Sequence, residues 1–214
     1  MAETITELRV ANPPVELNLL ACGDPQQPCL VMVHGLRDTA WALAPVAQAL
    51  AAGTATHPGY YVVIMELRGH GASSHSDGYA MANFLMDLHL VIDAVCEGAE
   101  HPQCALFGHS LGGHLVSRYA ALFAKRVCAL LVVEGLGPPR AQTPANASDR
   151  QAESAKLAAY TQMLLERMSP STRTSTPIAS INAVVERLLS NNPRLPSSLA
   201  EVIAPHLVYP VEAG

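Results

Sequence analysis

The chain of 214 residues is poor in charge and in aromatic side chains: 14% are Asp, Glu, Lys or Arg, 5% are aromatic, and there is a single Trp. With half of the residues hydrophobic, this profile excludes a disordered or polyanion-coating chain and implies one sizeable buried core. Lys and Arg are scattered, the net charge is −5, and no basic run offers a footprint for nucleic acid. No stretch approaches the ~18 uninterrupted apolar residues of a membrane span. No CxxC pair occurs among Cys22, Cys29, Cys96, Cys104 and Cys128. Cys29, Cys104 and Cys128 lie in apolar, strand-like runs, so buried free thiols in a reducing compartment are expected. The first residues carry acids where a signal peptide places basic groups, which makes a cytoplasmic location the expectation and leaves the Asn146-Ala147-Ser148 sequon without a secretory route.

What is present is an alternation of short apolar runs and longer helical patterns. Thr6–Val10 and Val15–Ala21 read as a leading antiparallel pair, Cys29–Val33 as a buried strand, and Tyr60–Met65, Ala105–Phe107 and Val127–Val133 as further strands, the last expected to lack a covering edge and to leave apolar groups open to solvent. Ala42–Ala52, Tyr79–Cys96 and Leu111–Ala124 read as the intervening helices, the last with Leu115, Val116, Tyr119, Leu122 and Phe123 on one face. Such alternation predicts an α/β fold, a mostly parallel sheet with helices on both faces. At Gly137-Pro138-Pro139 the texture changes, and strands disappear. Residues 1–137 are expected to form the core and 138–150 a linker. Residues 151–214 are expected to form a helical segment, with helices at Gln151–Met168, around Ile181–Leu188 and from Ser197.

Two motifs carry chemistry and a third supports them. In Leu106-Phe107-Gly108-His109-Ser110-Leu111-Gly112-Gly113, a strand turns directly into a helix. A residue at such a turn is forced into a strained backbone conformation, and small residues two before and two after, here Gly108 and Gly112, relieve the clash. Ser110 is thereby held above the sheet edge at the positive end of the helix dipole, the position of a nucleophile. The run Val33-His34-Gly35-Leu36-Arg37-Asp38 comes directly after the first buried strand. Acyl transfer needs backbone N–H donors for the developing oxyanion, and Leu111 and Leu36 are the candidates. His34 and His109 are expected to support these loops, with His109 directed away from Ser110. The third run, Glu66-Leu67-Arg68-Gly69-His70-Gly71-Ala72-Ser73, reads as a tight loop that organises the site's surroundings.

In this order the motifs, together with Val133-Glu134-Gly135-Leu136-Gly137-Pro138-Pro139 after them, resemble the α/β-hydrolase superfamily over residues ~1–140. The Ile181–Ser190 region is similar to its serine hydrolase-like and epoxide-hydrolase-like branch. The resemblance implies an α/β-hydrolase core with a helical cap, a small-molecule substrate and hydrolysis of a carboxylic ester or related derivative through an acyl-serine, without metal or other cofactor. Two departures matter: Ser110 stands where epoxide hydrolases and haloalkane dehalogenases carry Asp, and Glu66 replaces the usual Asp of the DxRGHG loop.

In this fold the catalytic acid and then the histidine come after the serine in chain order. Glu134 is a possible acid at the end of the sixth strand, or an anchor of the cap hinge. His206 has the right order but no strand to deliver it, so the base is expected beyond the C-terminus, in a parent chain with further strands. A C–C hydrolase or perhydrolase using the same serine, or a non-catalytic binding module, are the alternatives. A nucleotide-binding oxidoreductase is disfavoured, since no GxGxxG follows the first parallel strand.

Overall fold

The structure, a computed structural model, describes residues 3–76, 78–96, 102–135, 151 and 178–208. The chain divides into two compact units, Met1–Gly135 with Ser180–Gly214, and Leu136–Ala179. All elements named below belong to the first. The expected linker over 138–150 and the helix Gln151–Met168 lie outside the described residues apart from Gln151.

Six strands form one sheet in the order β1-β2-β4-β3-β5-β6. They are β1 (Thr6–Asn12), β2 (Val15–Cys22), β3 (Cys29–Val33), β4 (Tyr61–Met65), β5 (Cys104–His109) and β6 (Val127–Val133). β1 and β2 are antiparallel and β2 runs antiparallel to β4, while β4, β3, β5 and β6 are mutually parallel. Every residue of β3 is buried, the continuous apolar run that a strand covered on both faces requires. The helices α1 (Ala44–Ala52), α2 (Met81–Cys96) and α3 (Leu111–Leu122) fill the connections. One face of the sheet packs against α2 and α3 through Phe84, Leu88, Val91, Ile92, Leu115, Val116 and Tyr119. The other packs against α1 through the small residues Ala44, Ala47 and Ala51. Two further helices, α4 (Ile181–Asn191) and α5 (Ser197–Ile203), lie where the sequence pattern places them. Ser180 caps α4, its hydroxyl accepting from the Ala183 N–H at 3.2 Å. No helix among the described residues is long and apolar enough to cross a membrane.

Two expectations need correction. Cys128 is exposed, not buried, because β6 has β5 as its only strand neighbour among the described residues. Its apolar run is therefore uncovered, with Leu130, Leu131 and Val133 at 45%, 59% and 44% exposure. The helical stripe of α3 is buried only as far as Tyr119. Leu122 is 66% exposed, and Phe123 has left helical geometry as the C-cap, stacking on His89 instead.

The loops at the C-terminal ends of the strands are tied by buried polar groups. Glu66, buried just after β4, accepts from Thr39 Oγ1 (2.6 Å) and Ala40 N (3.2 Å) through one oxygen. Its other oxygen accepts from Asn18 Nδ2 (3.1 Å) and Ala72 N (2.7 Å). One carboxylate thus joins β2, the loop after β3 and the loop after β4. Beside it, Arg68 meets Asp87 of α2 in a two-pronged ion pair at 2.6 and 2.7 Å, and Asn12 donates to the same carboxylate at 2.6 Å. His34 is fully buried: its Nε2 accepts from the Leu67 N–H (3.1 Å), which leaves Nδ1–H to donate to the Gly35 carbonyl (2.8 Å). This fixes a neutral ring. Burial, aided by neighbouring His70, lowers its pKa from 6.5 to about 4.

Removing one partner of the Arg68–Asp87 pair leaves a buried charge uncompensated, which costs about 3–5 kcal/mol. Asp87→Ala is therefore expected to lower the thermal midpoint by roughly 6–20 °C for a chain of this size, and Arg68→Leu with Asp87→Leu together by less. A single variant that melts with the wild type would refute the role given to the pair. His34 binds its proton only when unfolded between pH about 6.5 and about 4, so stability falls as pH drops through that window and is unaffected by this group above it. The full loss is on the order of 3 kcal/mol. Urea midpoints measured from pH 7 to pH 4 should fall less steeply in His34→Gln than in wild type; parallel curves would remove His34 from the account.

Candidate active site

The turn from β5 to α3 places Ser110 as the residue just before the helix, with φ 52° and ψ −112°. This is a left-handed backbone that a side-chain-bearing residue adopts only when its surroundings impose it. Both sides of the turn are pinned. The Ser110 N–H donates to the Val133 carbonyl at the end of β6, and the Ser110 carbonyl accepts from His114 N–H in the first turn of α3, each at 3.0 Å. A Cβ at Gly108 would overlap the Gly112 carbonyl, and one at Gly112 would overlap the Val33 carbonyl. These two glycines are what let α3 start so close to the ends of β3 and β5.

The loop after β3 passes beside this turn. A Cβ on Gly35 would lie 3.0 Å from His109 Nδ1 and 3.4 Å from Ser110 Cβ, so the backbone leading into Leu36 is against the serine. Arg37, at φ 62°, reverses the loop, and its N–H donates to His70 Nε2 at 3.1 Å. The N–H groups of Leu36 and Leu111 donate to no group among the described residues. Two unpaired donors therefore lie on the two segments that flank Ser110, with the positive end of the α3 dipole behind one of them.

His34 and Gly35 form the base of the loop, with the His34 ring spent on Leu67 and Gly35. The His109 ring lies against Gly35, its Nδ1 4.0 Å from Asp38 Oδ2. Burial raises the Asp38 pKa, against the lowering effects of the Thr39 N–H and of His109. Glu134 comes directly after Val133 at φ 62° and is exposed. Its carboxylate makes no hydrogen bond to a described residue, so neither an acid's partner nor a hinge contact is seen for it. His206 is not at the serine: its ring stacks on Trp41 at 4.5 Å, and burial lowers its pKa. His70 is held by Arg37 N–H and the Arg68 carbonyl, and burial lowers its pKa as well. His89 faces Tyr119 and Asp93. No described histidine hydrogen-bonds to the Ser110 hydroxyl. Among the described residues no group of three or more His, Cys, Asp or Glu is arranged to hold a metal ion.

Sequence reasoning missed Asp38 as the partner of His109, and the set Asn18, Thr39 and Ser73 around Glu66. A signal for Glu66 was available: a charged residue directly after a strand as apolar as β4 must be satisfied internally.

The sequence pattern of the family described as serine aminopeptidase, S33, matches residues 24–201. Epoxide hydrolase A of Mycobacterium tuberculosis is 31% identical over 142 residues, 65% of this chain and 41% of that one. Human serine hydrolase-like protein 2 is 25% identical over 204 residues, 93% of this chain and 59% of that one. The chain thus spans well under two-thirds of the length of these curated relatives. Among solved structures, the thioesterase domain from the curacin biosynthetic pathway superposes with a TM-score of 0.74 at 24% identity, covering 99% of this chain and 68% of that one. The match over most of the sequence and the shared architecture agree: the chain belongs to the S33 serine aminopeptidase family of the α/β-hydrolases.

Proposed function

We propose that the protein is a serine-nucleophile hydrolase acting on a small carboxylic ester or related derivative, with Ser110 as the attacking residue. The observation that carries this reading is the backbone at Ser110. A left-handed conformation on a serine, locked by two carbonyl contacts and two glycines, holds roughly 1–3 kcal/mol of strain, and it lifts one hydroxyl above the sheet edge. In the reaction the Ser110 oxygen bonds to the substrate's carbonyl carbon while its proton passes to a base. The Leu36 and Leu111 N–H groups receive the oxyanion, and collapse expels the alcohol to leave an acyl-serine that water then cleaves.

Glu134, at the end of β6 beside the serine, is the candidate acid. His34 and His70 are neutral, fully engaged supports. The base is a group outside the described residues, in this chain or supplied to it. No cofactor is assigned, residues 151–214 are read as a cap, and the cytoplasm is the proposed location. The absence of a base from the described residues also supports a second reading, a hydrolase-fold binding module that keeps the pocket alone.

A fluorophosphonate probe combined with intact-mass spectrometry separates the two. A single adduct is expected, mapping to Ser110 and absent from Ser110→Ala. A cooperatively folded chain that stays unlabelled at high probe concentration would sink the nucleophile assignment and leave the binding module. The pH dependence tests the base. A positioned histidine supplies roughly 10²–10⁴-fold; without one, hydrolysis of an activated aryl ester by the 214-residue chain should be slow and rise continuously from pH 7 to pH 9. Fast turnover levelling off near pH 7 would show that the chain contains its own base.

A further inference from the structure

Two histidines hold two successive peptides of the loop after β3. His34 Nδ1–H donates to the Gly35 carbonyl at 2.8 Å. That carbonyl and the Leu36 N–H belong to one planar trans peptide and point in opposite directions, so the His34 bond aims the Leu36 donor. The Leu36 carbonyl and the Arg37 N–H form the next peptide, and His70 holds that one, its Nε2 accepting from Arg37 N–H at 3.1 Å. Further along, Thr39 and Ala40 are anchored on Glu66. The free stretch of the loop is therefore short, and its middle hydrogen bond is the one to His70.

The tautomer of His70 is fixed by its partners. Nδ1 lies 3.0 Å from the Arg68 carbonyl, which can only accept, and Nε2 faces the Arg37 N–H, which can only donate. The ring is neutral, with its hydrogen on Nδ1. A second proton has one place to go, Nε2, where it would meet the Arg37 N–H donor to donor. Unlike His34, which is fully buried, His70 is only half-buried, so solvent can deliver that proton. Glu66 and Asp38 favour the charged ring, while burial and His75 oppose it, and burial wins: the pKa lies below 6.5. The His34 ring is 5.3 Å away, and a charge on either ring disfavours one on the other. The accessible ring therefore takes the proton first. Arg37 is also loaded to move. Its φ of 62° is a left-handed backbone that an arginine keeps only under constraint, and the His70 bond is the constraint at its own N–H.

We propose that His70 is an acid-released latch on the loop that carries Leu36, a role that rests on the reading of Ser110 as the nucleophile. Neutral His70 holds the Leu36–Arg37 peptide. Protonation at Nε2 breaks that one hydrogen bond, lets Arg37 leave its left-handed backbone and shifts the Leu36 N–H off the serine. No covalent bond changes. His70 is a positioning residue, acting on the oxyanion through Leu36, and it silences the site in acid without unfolding the chain.

The test uses the 214-residue chain from about pH 7.5 to about pH 4.5. Nuclear magnetic resonance follows the His70 ring together with the protection of each backbone amide from solvent exchange. Protection at Arg37 should fall by about tenfold or more with the midpoint of His70, while the amides of β3 stay protected. Fluorophosphonate labelling of wild type is compared with that of His70→Gln, whose side chain offers an acceptor that does not titrate. The ratio of the two rates cancels the titration of whatever base serves Ser110. Outright loss of an oxyanion donor costs roughly 10²–10³-fold; for a displaced one, the ratio should fall about tenfold as His70 protonates. Arg37 protection that ignores the His70 midpoint would overturn the latch, and so would a flat rate ratio in labelled protein. A wild-type chain that is never labelled would instead remove Ser110 as the nucleophile. Arg37 protection would then decide the latch alone, as it would if His70→Gln failed to fold.

Discussion

The site rests on a backbone-to-backbone approach. Ser110 N–H reaches the Val133 carbonyl, while Gly112 lies directly over the Val33 carbonyl and Gly135 over that of Ser110. Gly135, at φ 84°, could not take a side chain on either count. Three parallel strand ends and one helix start are thereby drawn to a single point. Sheet register makes this possible, since Val33 pairs with Gly108 and His109 with Val133. Moving any of these strands by one residue would replace a glycine by a side chain at the contact and turn the elbow residue to the opposite face. Neither the strain at Ser110 nor the exposure of its hydroxyl can therefore be separated from the register of the sheet.

Around that point the polar groups act through position more than through charge. Glu66 neutralises its burden by accepting four hydrogen bonds from three segments of chain. Arg68 is consumed by Asp87, Ser76 and Gly78. His34 is a neutral strut. In the proposed reaction, oxyanion stabilisation at Ser110 falls to oriented amides and the start of α3, which need no reorganisation when charge appears.

The core fold was readable because its signals are local. β3 is a continuous apolar run, and the glycines two residues either side of Ser110 answer a clash within a single turn. What escaped the sequence depends on partners far along the chain. The open edge of Val127–Val133 was expected, yet an apolar run does not say which of its residues the sheet leaves uncovered, and this misplaced Cys128. Asp87 carries no sequence signal of its own on α2. It shares a face with Phe84, Leu88 and Val91, all buried, and only a partner 19 residues earlier makes that tolerable. The Glu66 network spans Asn18 to Ala72, beyond the reach of any periodicity.

The two ends of β5 show how one strand can serve a packed core at one end and the candidate site at the other. Cys104 and His109 are five residues apart, so the strand separates them by about 17 Å. The same parallel geometry sets neighbouring strand starts abreast at one end, where it collects thiols in a dry cluster, and strand ends abreast at the other, where it collects loops and free amides. The two ends differ in the chain segments joined to them. At the C-terminal end β3, β4 and β5 lead into segments that α1, α2 and α3 continue, and amides with no strand partner are the product. At the N-terminal end β3 and β5 begin inside the core, and the first side chains of both, Cys29 and Cys104, are buried in the cluster that also holds Cys96 at the end of α2.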